Sequence, residues 1–250
     1  MLAGLRLAMG FLTVIPVGSP DIRRTREAML LAPVAVLPVA LVAALGGWAA
    51  GRIGIPLVIA GVLVVGLVAL GTRAMHLDGL ADTVDGLGSG KPAADALEIM
   101  RRGDVGPMGV VALALVLLGE AMAAGVVLVR PWGWLQLAVL IGVSRGALAL
   151  ACLRGVPSAR PDGLGSLVAG SVPRFAAAAA WVVWTAALVA SGVLAGQAWW
   201  WPLVGVAAVL VTSVWLVGLA TRRLGGITGD VLGAVVELSS AVLLVSATAA

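Results

Sequence analysis

The chain has 250 residues, of which 61% are hydrophobic and only 11% charged, and it carries a formal net charge of +4. Soluble domains run at roughly 45–50% apolar and about 25% charged, so this composition, with a mean hydropathy of +1.12, excludes an ordinary soluble globule and specifies a polytopic membrane protein. The basic residues are scattered over short polar segments rather than gathered on one face, which argues against a nucleic-acid partner and for topology signals facing anionic lipid. The single cysteine, Cys152, excludes an intrachain disulfide and reads as apolar packing.

A helix needs about 20 apolar residues to cross a bilayer. Residues 1–18 are apolar apart from Arg6 and break at Ile15-Pro16, which predicts an interfacial or re-entrant helix rather than a span. No cleaved-signal pattern is evident there. Crossings are predicted near 29–50, 55–75, 107–129, 132–153, 175–196, 199–220 and 231–249. The expected fold is therefore all-α: one integral membrane domain over 1–250, with about seven transmembrane helices plus the N-terminal helix. The Ala176–Ala180 run is the one low-complexity stretch, and there is no convincing internal repeat.

Threading these spans with Asp21–Glu27 inside puts Arg6, Arg23, Arg24, Arg26, Arg73, Lys91, Arg101, Arg102, Arg154, Arg160, Arg174, Arg222 and Arg223 on the cytoplasmic side. Arg52 and Arg130 fall outside, and Arg145 falls within a span. The positive-inside rule selects this orientation. It places Asp78, Asp82, Asp85, Asp104 and Asp230 on the cytoplasmic side, in a long acidic-motif loop over 76–106 and a glycine-rich loop over 221–230.

In His76-Leu77-Asp78-Gly79-Leu80-Ala81-Asp82-Thr83-Val84-Asp85-Gly86, three aspartates recur at i, i+4 and i+7, one face of a helix. Mutually repelling carboxylates at a membrane boundary are costly unless compensated. A hard divalent cation such as Mg²⁺ or Mn²⁺ supplies that compensation and leaves room for phosphate. The alternative is a solvated acidic loop. Gly225-Gly226-Ile227-Thr228-Gly229-Asp230 precedes the last crossing. Glycine amides and a helix N-terminus suit an anion; Thr228 can donate to a phosphate, and Asp230 can join the metal or cap the helix. Arg145, after Ser144, is a phosphate clamp or a structural partner of Glu120 or Glu237. His76, the only histidine, is a general base or a hydrogen-bonded boundary residue. Asp104 is a ligand, a base or a topology signal.

These motifs resemble those of the cobalamin synthase family, the adenosylcobinamide-GDP ribazoletransferases. The run His76–Gly88, HLDGLADTVDGLG, is similar to that family's signature. Phe11–Pro16, Met100–Gly109 and Gly225–Ala234 resemble further family stretches in the same order, so the likeness covers essentially the whole chain. In the middle stretch acid and base are exchanged relative to many relatives: here it reads Met100-Arg101-Arg102-Gly103-Asp104-Val105-Gly106, which weakens a metal role for Asp104.

The resemblance implies an enzyme of the bacterial inner membrane with its active site facing the cytoplasm. It would need Mg²⁺, join adenosylcobinamide-GDP to α-ribazole or its 5′-phosphate, and release GMP. It implies metal ligands Asp78, Asp82, Asp85 and Asp230. Asp82, Asp85 and Arg145 would be catalytic, with Asp85 as proton acceptor. Gly225, Gly226, Thr228, Gly229 and Arg145 would bind substrate. Homo-oligomerisation stays open.

A CDP-alcohol phosphotransferase shares Asp82-Thr83-Val84-Asp85-Gly86 but expects Ala-Arg next and a later Asp-x-x-x-Asp, and an intramembrane prenyltransferase expects a second aspartate-rich motif; none of these follows. A cation-coupled transporter expects acids near the bilayer midplane and paired broken helices.

Overall fold

The computed structural model describes residues 1–18 and 21–249. The chain forms α1 (Leu2–Leu12), a 3-10 turn at Ile22–Arg24, α2 (Thr25–Arg52), α3 (Leu57–Gly71), α4 (Met75–Gly88), α5 (Ala93–Ile99) and α6 (Pro107–Leu128). It continues through α7 (Gly133–Ser144), α8 (Ala147–Ala151), α9 (Gly163–Val168), α10 (Arg174–Leu194), α11 (Trp201–Leu224) and α12 (Gly229–Thr248). Among the described residues, β-type pairing is limited to two isolated bridges, Leu153 with Val172 and Ser158 with Ile227. The all-α polytopic fold is as expected.

Six segments are long and apolar enough to cross a membrane: α2 with its leading turn, α6, α7 with α8, α10, α11 and α12. α3, at 15 residues, extends about 22 Å and reaches the length of a span only with α4, from which it is bent by 91°. The crossing expected over 55–75 therefore stops at Gly71. The acidic motif, placed in the long 76–106 loop with its aspartates on one helical face, is the helix α4, turned crosswise at the end of α3.

The corner is built from Arg73 and Ala74, both left-handed at φ 56° and 51°. Non-glycine residues enter that region at a cost of roughly 1–2 kcal/mol each. Local bonds offset it: the Ala74 amide donates to Ala69 O at 2.7 Å and the Thr72 hydroxyl to Val68 O at 2.9 Å. The Arg73 guanidinium donates to Gly10 O at 2.9 Å, fastening α1 to the corner. α1, about 16 Å long, is too short to cross and packs along α2.

The fourth crossing, expected as continuous over 132–153, breaks at Arg145-Gly146. Four amides there (Arg145, Gly146, Leu148 and Ala149) bond three residues back instead of four. The Ser144 hydroxyl and the Arg145 guanidinium both donate to Ile141 O, competing with the helix ladder. α7–α8 and α12 form the enclosed centre of the bundle, whereas α6, α10 and α11 turn most of their apolar surface outward.

Between apolar helices in lipid, close approach depends on small residues. Gly61 of α3 lies directly against Ala121 O of α6, and a Cβ on Gly125 would meet Leu57 O at 2.7 Å. Gly61→Val is expected to separate the two helices and cost about 1–3 kcal/mol, read as a lower unfolding temperature in detergent, with exposed Gly66→Ala as a silent control.

Candidate active site

α4 lies against the first turns of α12 at two glycines. A Cβ on Gly79 would sit 2.7 Å from Asp230 O and 3.1 Å from Gly233 Cα, and one on Gly233 would sit 3.2 Å from His76 O. This backbone contact, which only glycine permits, carries Asp78 and Asp82 to the N-terminal end of α12, beside Asp230. Asp78 is exposed, and Asp82 and Asp85 are half-buried.

Partial burial and the negative charges of Asp78, Asp230 and Asp85, in that order, push the Asp82 carboxyl up to about 6, against a smaller opposing pull from Arg160. Three of the four expected metal ligands, Asp78, Asp82 and Asp230, are thus neighbours. Among the described residues, no group of three or more His, Cys, Asp or Glu side chains is already drawn in to ligand distance.

Asp85 has a different position. Its two carboxylate oxygens accept from the amides of Gly106 at 2.7 Å and Gly109 at 2.9 Å. Gly106 precedes α6, so the carboxylate caps that helix from a neighbouring element and lies at its positive end. A Cβ on Gly106 would sit 2.5 Å from Asp85 Oδ1. With one amide on each oxygen, Asp85 holds the start of α6 against α4, a positioning contact that the proton-acceptor reading did not include.

The glycine-rich segment also departs from expectation. The Gly225 amide donates to Thr221 O and the Ile227 amide to Pro157 O, while Ile227 O accepts from Ala159 N. Gly225, at φ 85°, ends α11, and Gly226 packs directly on the Pro157–Ser158 backbone. The Gly225 and Ile227 amides are therefore already taken, and the segment, with Gly226 pressed against residues 157–159, is not the open amide cradle predicted for it. Thr228 is buried and serves as N-cap of α12: its hydroxyl accepts from Val231 N at 3.2 Å and donates to Asp230 Oδ2 at 3.1 Å, so it is not a free phosphate donor. The anion-binding capacity that remains is at Gly229 and Asp230, whose first-turn amides have no acceptor within the helix.

Sequence reasoning took Arg160 only as a topology signal. Its guanidinium donates to Leu97 O at 2.7 Å and stands 3.7 Å from Asp230 Oδ2. The backbone pairing of 157–159 with Ile227 places it there. The available signal was a lone arginine in a turn-forming run, Val156-Pro157-Ser158-Ala159-Arg160-Pro161-Asp162-Gly163.

Arg145 lies elsewhere. It is 1% exposed and, with Glu120, Glu237 and Ser240, lines an enclosed pocket of about 20 Å³. It donates to Ile141 O and the Ser144 hydroxyl and forms no direct ion pair among the described residues. Its seclusion in the core does not suit a phosphate clamp. Asp104 is exposed. His76 is buried, with neither ring nitrogen hydrogen-bonded among the described residues.

A cleft of about 220 Å³ opens beside the acids, with Asp78, His76, Gly229 and Asp230 on one side and Phe11, Leu12, Met29, Met75, Leu148 and Leu164 among its apolar walls. Fold and site together define a polytopic membrane protein whose acid-edged, largely apolar cleft, at one end of the bundle, suits a phosphorylated substrate with an apolar body.

The profile of the family described as Cobalamin-5-phosphate synthase matches residues 4–248, and the chain belongs to that family. It is 42% identical over 245 residues to an adenosylcobinamide-GDP ribazoletransferase of Nocardioides sp., covering 96% of each chain. Relatives with the same name from Frankia casuarinae (37% over 264 residues, 98% of this chain and 94% of theirs) and Bradyrhizobium diazoefficiens (38% over 263, 100% and 94%) are similar over a like extent. No solved structure matches the chain.

Two outcomes follow from this geometry. The Asp82 carboxyl binds its proton more tightly in the folded protein than in an unfolded chain, where a carboxyl titrates near 3.9. In EDTA, stability should therefore fall as pH rises from about 4 through about 6, and thermal unfolding of Asp82→Asn across that window should show a flatter dependence. Asp85→Ala should strip the cap from α6 and destabilise the protein by about 1–2 kcal/mol, with Asp85→Asn, which keeps one acceptor, losing less.

Proposed function

We propose that the chain transfers the adenosylcobinamide phosphate moiety from adenosylcobinamide-GDP to α-ribazole or its 5′-phosphate, releasing GMP. The observation that carries this reading is the convergence of Asp78, Asp82 and Asp230, of which Asp78 and Asp230 line a partly apolar cleft, in a chain 42% identical to a curated ribazoletransferase.

The reaction is a displacement at phosphorus. The ribose 3′-hydroxyl of the ribazole forms a P–O bond to the phosphorus that carries the aminopropanol arm. The bond from that phosphorus to the oxygen bridging to the GMP phosphate breaks, and the hydroxyl proton leaves for a base. Asp82, central in the carboxylate group and raised in proton affinity, is suited to accept it. The open amides at the start of α12 favour the non-bridging oxygens. Arg160 offers a cation next to Asp230 and moderates the repulsion among the acids. Asp85 holds the start of α6 in register with α4. The apolar walls, from Phe11 to Leu164, suit the non-phosphate bulk of a large substrate and exclude water from its phosphates.

The donor set also fits Mg²⁺. This ion is commonly held by one or two carboxylates plus substrate phosphates and water rather than by an all-protein cage. Asp78, Asp82 and Asp230 are the residues that would hold it. Bound there, it supplies charge neutralisation of the diphosphate. The cytoplasmic orientation is supported by the distribution of Lys and Arg, because the carboxylates share their end of the bundle with Arg160, Arg222 and Arg223 while Arg52 and Arg130 lie at the other.

The test is release of GMP from adenosylcobinamide-GDP by purified protein with α-ribazole and Mg²⁺. Asp82→Asn should lower turnover by at least about 10³-fold, the scale of losing general-base and metal-ligand functions together, while still inserting into membranes; near-normal turnover removes Asp82 from the mechanism. Arg160→Gln should weaken turnover more than Arg160→Lys.

A further inference from the structure

The end of the bundle opposite the carboxylates carries a second site. α3 and α6 have their acid-proximal ends at Gly71 and Pro107, so Leu57 and Leu128 mark the far end. There, between the α2–α3 and α6–α7 connections, lies a groove of about 580 Å³ lined by Trp48, Arg52, Leu57, Arg130, Trp132 and Trp134, among others. Its charged groups are the two guanidiniums. No Asp or Glu lines it, and the flanking segments 46–57, 126–136 and 194–202 contain none.

The guanidiniums are held differently. Arg130 donates to Ala247 O and Thr248 O at 2.6 and 2.8 Å, capping the last carbonyls of α12. Arg52 is exposed and lies 5.8 Å over the Trp48 ring, a cation–π arrangement that leaves its planar donors free. The Gln197 side chain donates to the same Ala247 carbonyl as Arg130 does, which brings the α10–α11 turn to this end. Six of the nine tryptophans (Trp48, Trp132, Trp134, Trp199, Trp200 and Trp201) therefore gather here. Tryptophan concentrates at headgroup depth, where its apolar ring and polar N–H are both satisfied. Leu57, Val58, Val129 and Trp132 beside the groove are exposed, a surface for acyl chains.

We propose that this groove binds an anionic phospholipid, its phosphodiester against the Arg52 fork and Arg130 and its glycerol region against Trp48, Trp132 and Trp134. Two guanidiniums, with no Asp or Glu among the described residues lining the groove, match a phosphate in charge and in bidentate geometry. Headgroup depth and an exposed apolar margin match a lipid rather than a soluble anion. The site is independent of the transfer reaction.

The experiment measures lipid retention. Protein is passed through nanodiscs of equimolar phosphatidylcholine and phosphatidylglycerol and re-extracted in mild detergent, and its bound lipids are counted by mass spectrometry. The wild type should keep phosphatidylglycerol over phosphatidylcholine about five-fold, the scale of one favourable charge contact near a membrane. Arg52→Gln, a change at an exposed side chain, should bring the ratio to about one. Arg222→Gln, at the carboxylate end, should leave it unchanged. Equal retention by the wild type, an unaltered ratio in Arg52→Gln, or an equal loss in Arg222→Gln overturns the proposal. So does displacement of the lipid by excess inorganic phosphate, which would mark a site for soluble anions.

Discussion

The site depends on one close approach of two backbones. Gly79 of α4 and Gly233 of α12 leave no side chain between the helices, and α4 comes near enough for its acidic face to meet the start of α12. Any larger residue at either position drives the helices apart and takes Asp78 and Asp82 away from Asp230. Apolar burial cannot enforce this contact, since lipid tails are as apolar as the helices; close packing of small residues can. The 91° corner at Thr72–Ala74 is what makes α4 available, because a helix continuing straight along α3 would have carried its acids past the end of the bundle and away from α12.

Bringing like charges together has consequences that the surroundings meet piece by piece. Asp85 is neutralised in part by two amides at the positive end of α6. Asp230 has the Thr228 hydroxyl and, at longer range, Arg160. Asp82, partly buried and facing the charges of Asp78, Asp230 and Asp85, answers by holding a proton more readily. A site in this condition favours a cation or a proton, and it is the state from which a diphosphate bound with its counterion gains most. The buried group of Arg145, Glu120 and Glu237 is a separate matter: it lies within the packed helices, away from the carboxylate cleft, and Arg145 helps to interrupt α7.

The two ends of the bundle differ in kind. One concentrates carboxylates, turns and short helices; the other concentrates tryptophan and two arginines and carries no acid along its connecting turns. Crosswise elements and a cleft equip the first for a water-soluble phosphate chemistry next to an apolar wall. The second has the composition of a headgroup-level belt. The lipid-facing surfaces of α6, α10 and α11 join them.

Much of this was legible along the chain. Hydropathy alone determines that helices cross a membrane, because every backbone polar group must then be satisfied within its own segment. The i, i+4, i+7 spacing determines that Asp78, Asp82 and Asp85 share a face, and the acidic and glycine-rich motifs resemble one family. What the linear order leaves undecided is which groups are already occupied. Gly225 and Ile227 look like free amides until Thr221 O takes the one and Pro157 O the other; Asp85 looks like a base until the amides of Gly106 and Gly109 meet its two oxygens; Arg160 looks like a topology charge until the pairing of residues 157–159 with Ile227 sets it beside Asp230. Hydrogen-bond capacity is local to a residue, but its use depends on partners tens of residues away, and only the packed structure assigns them.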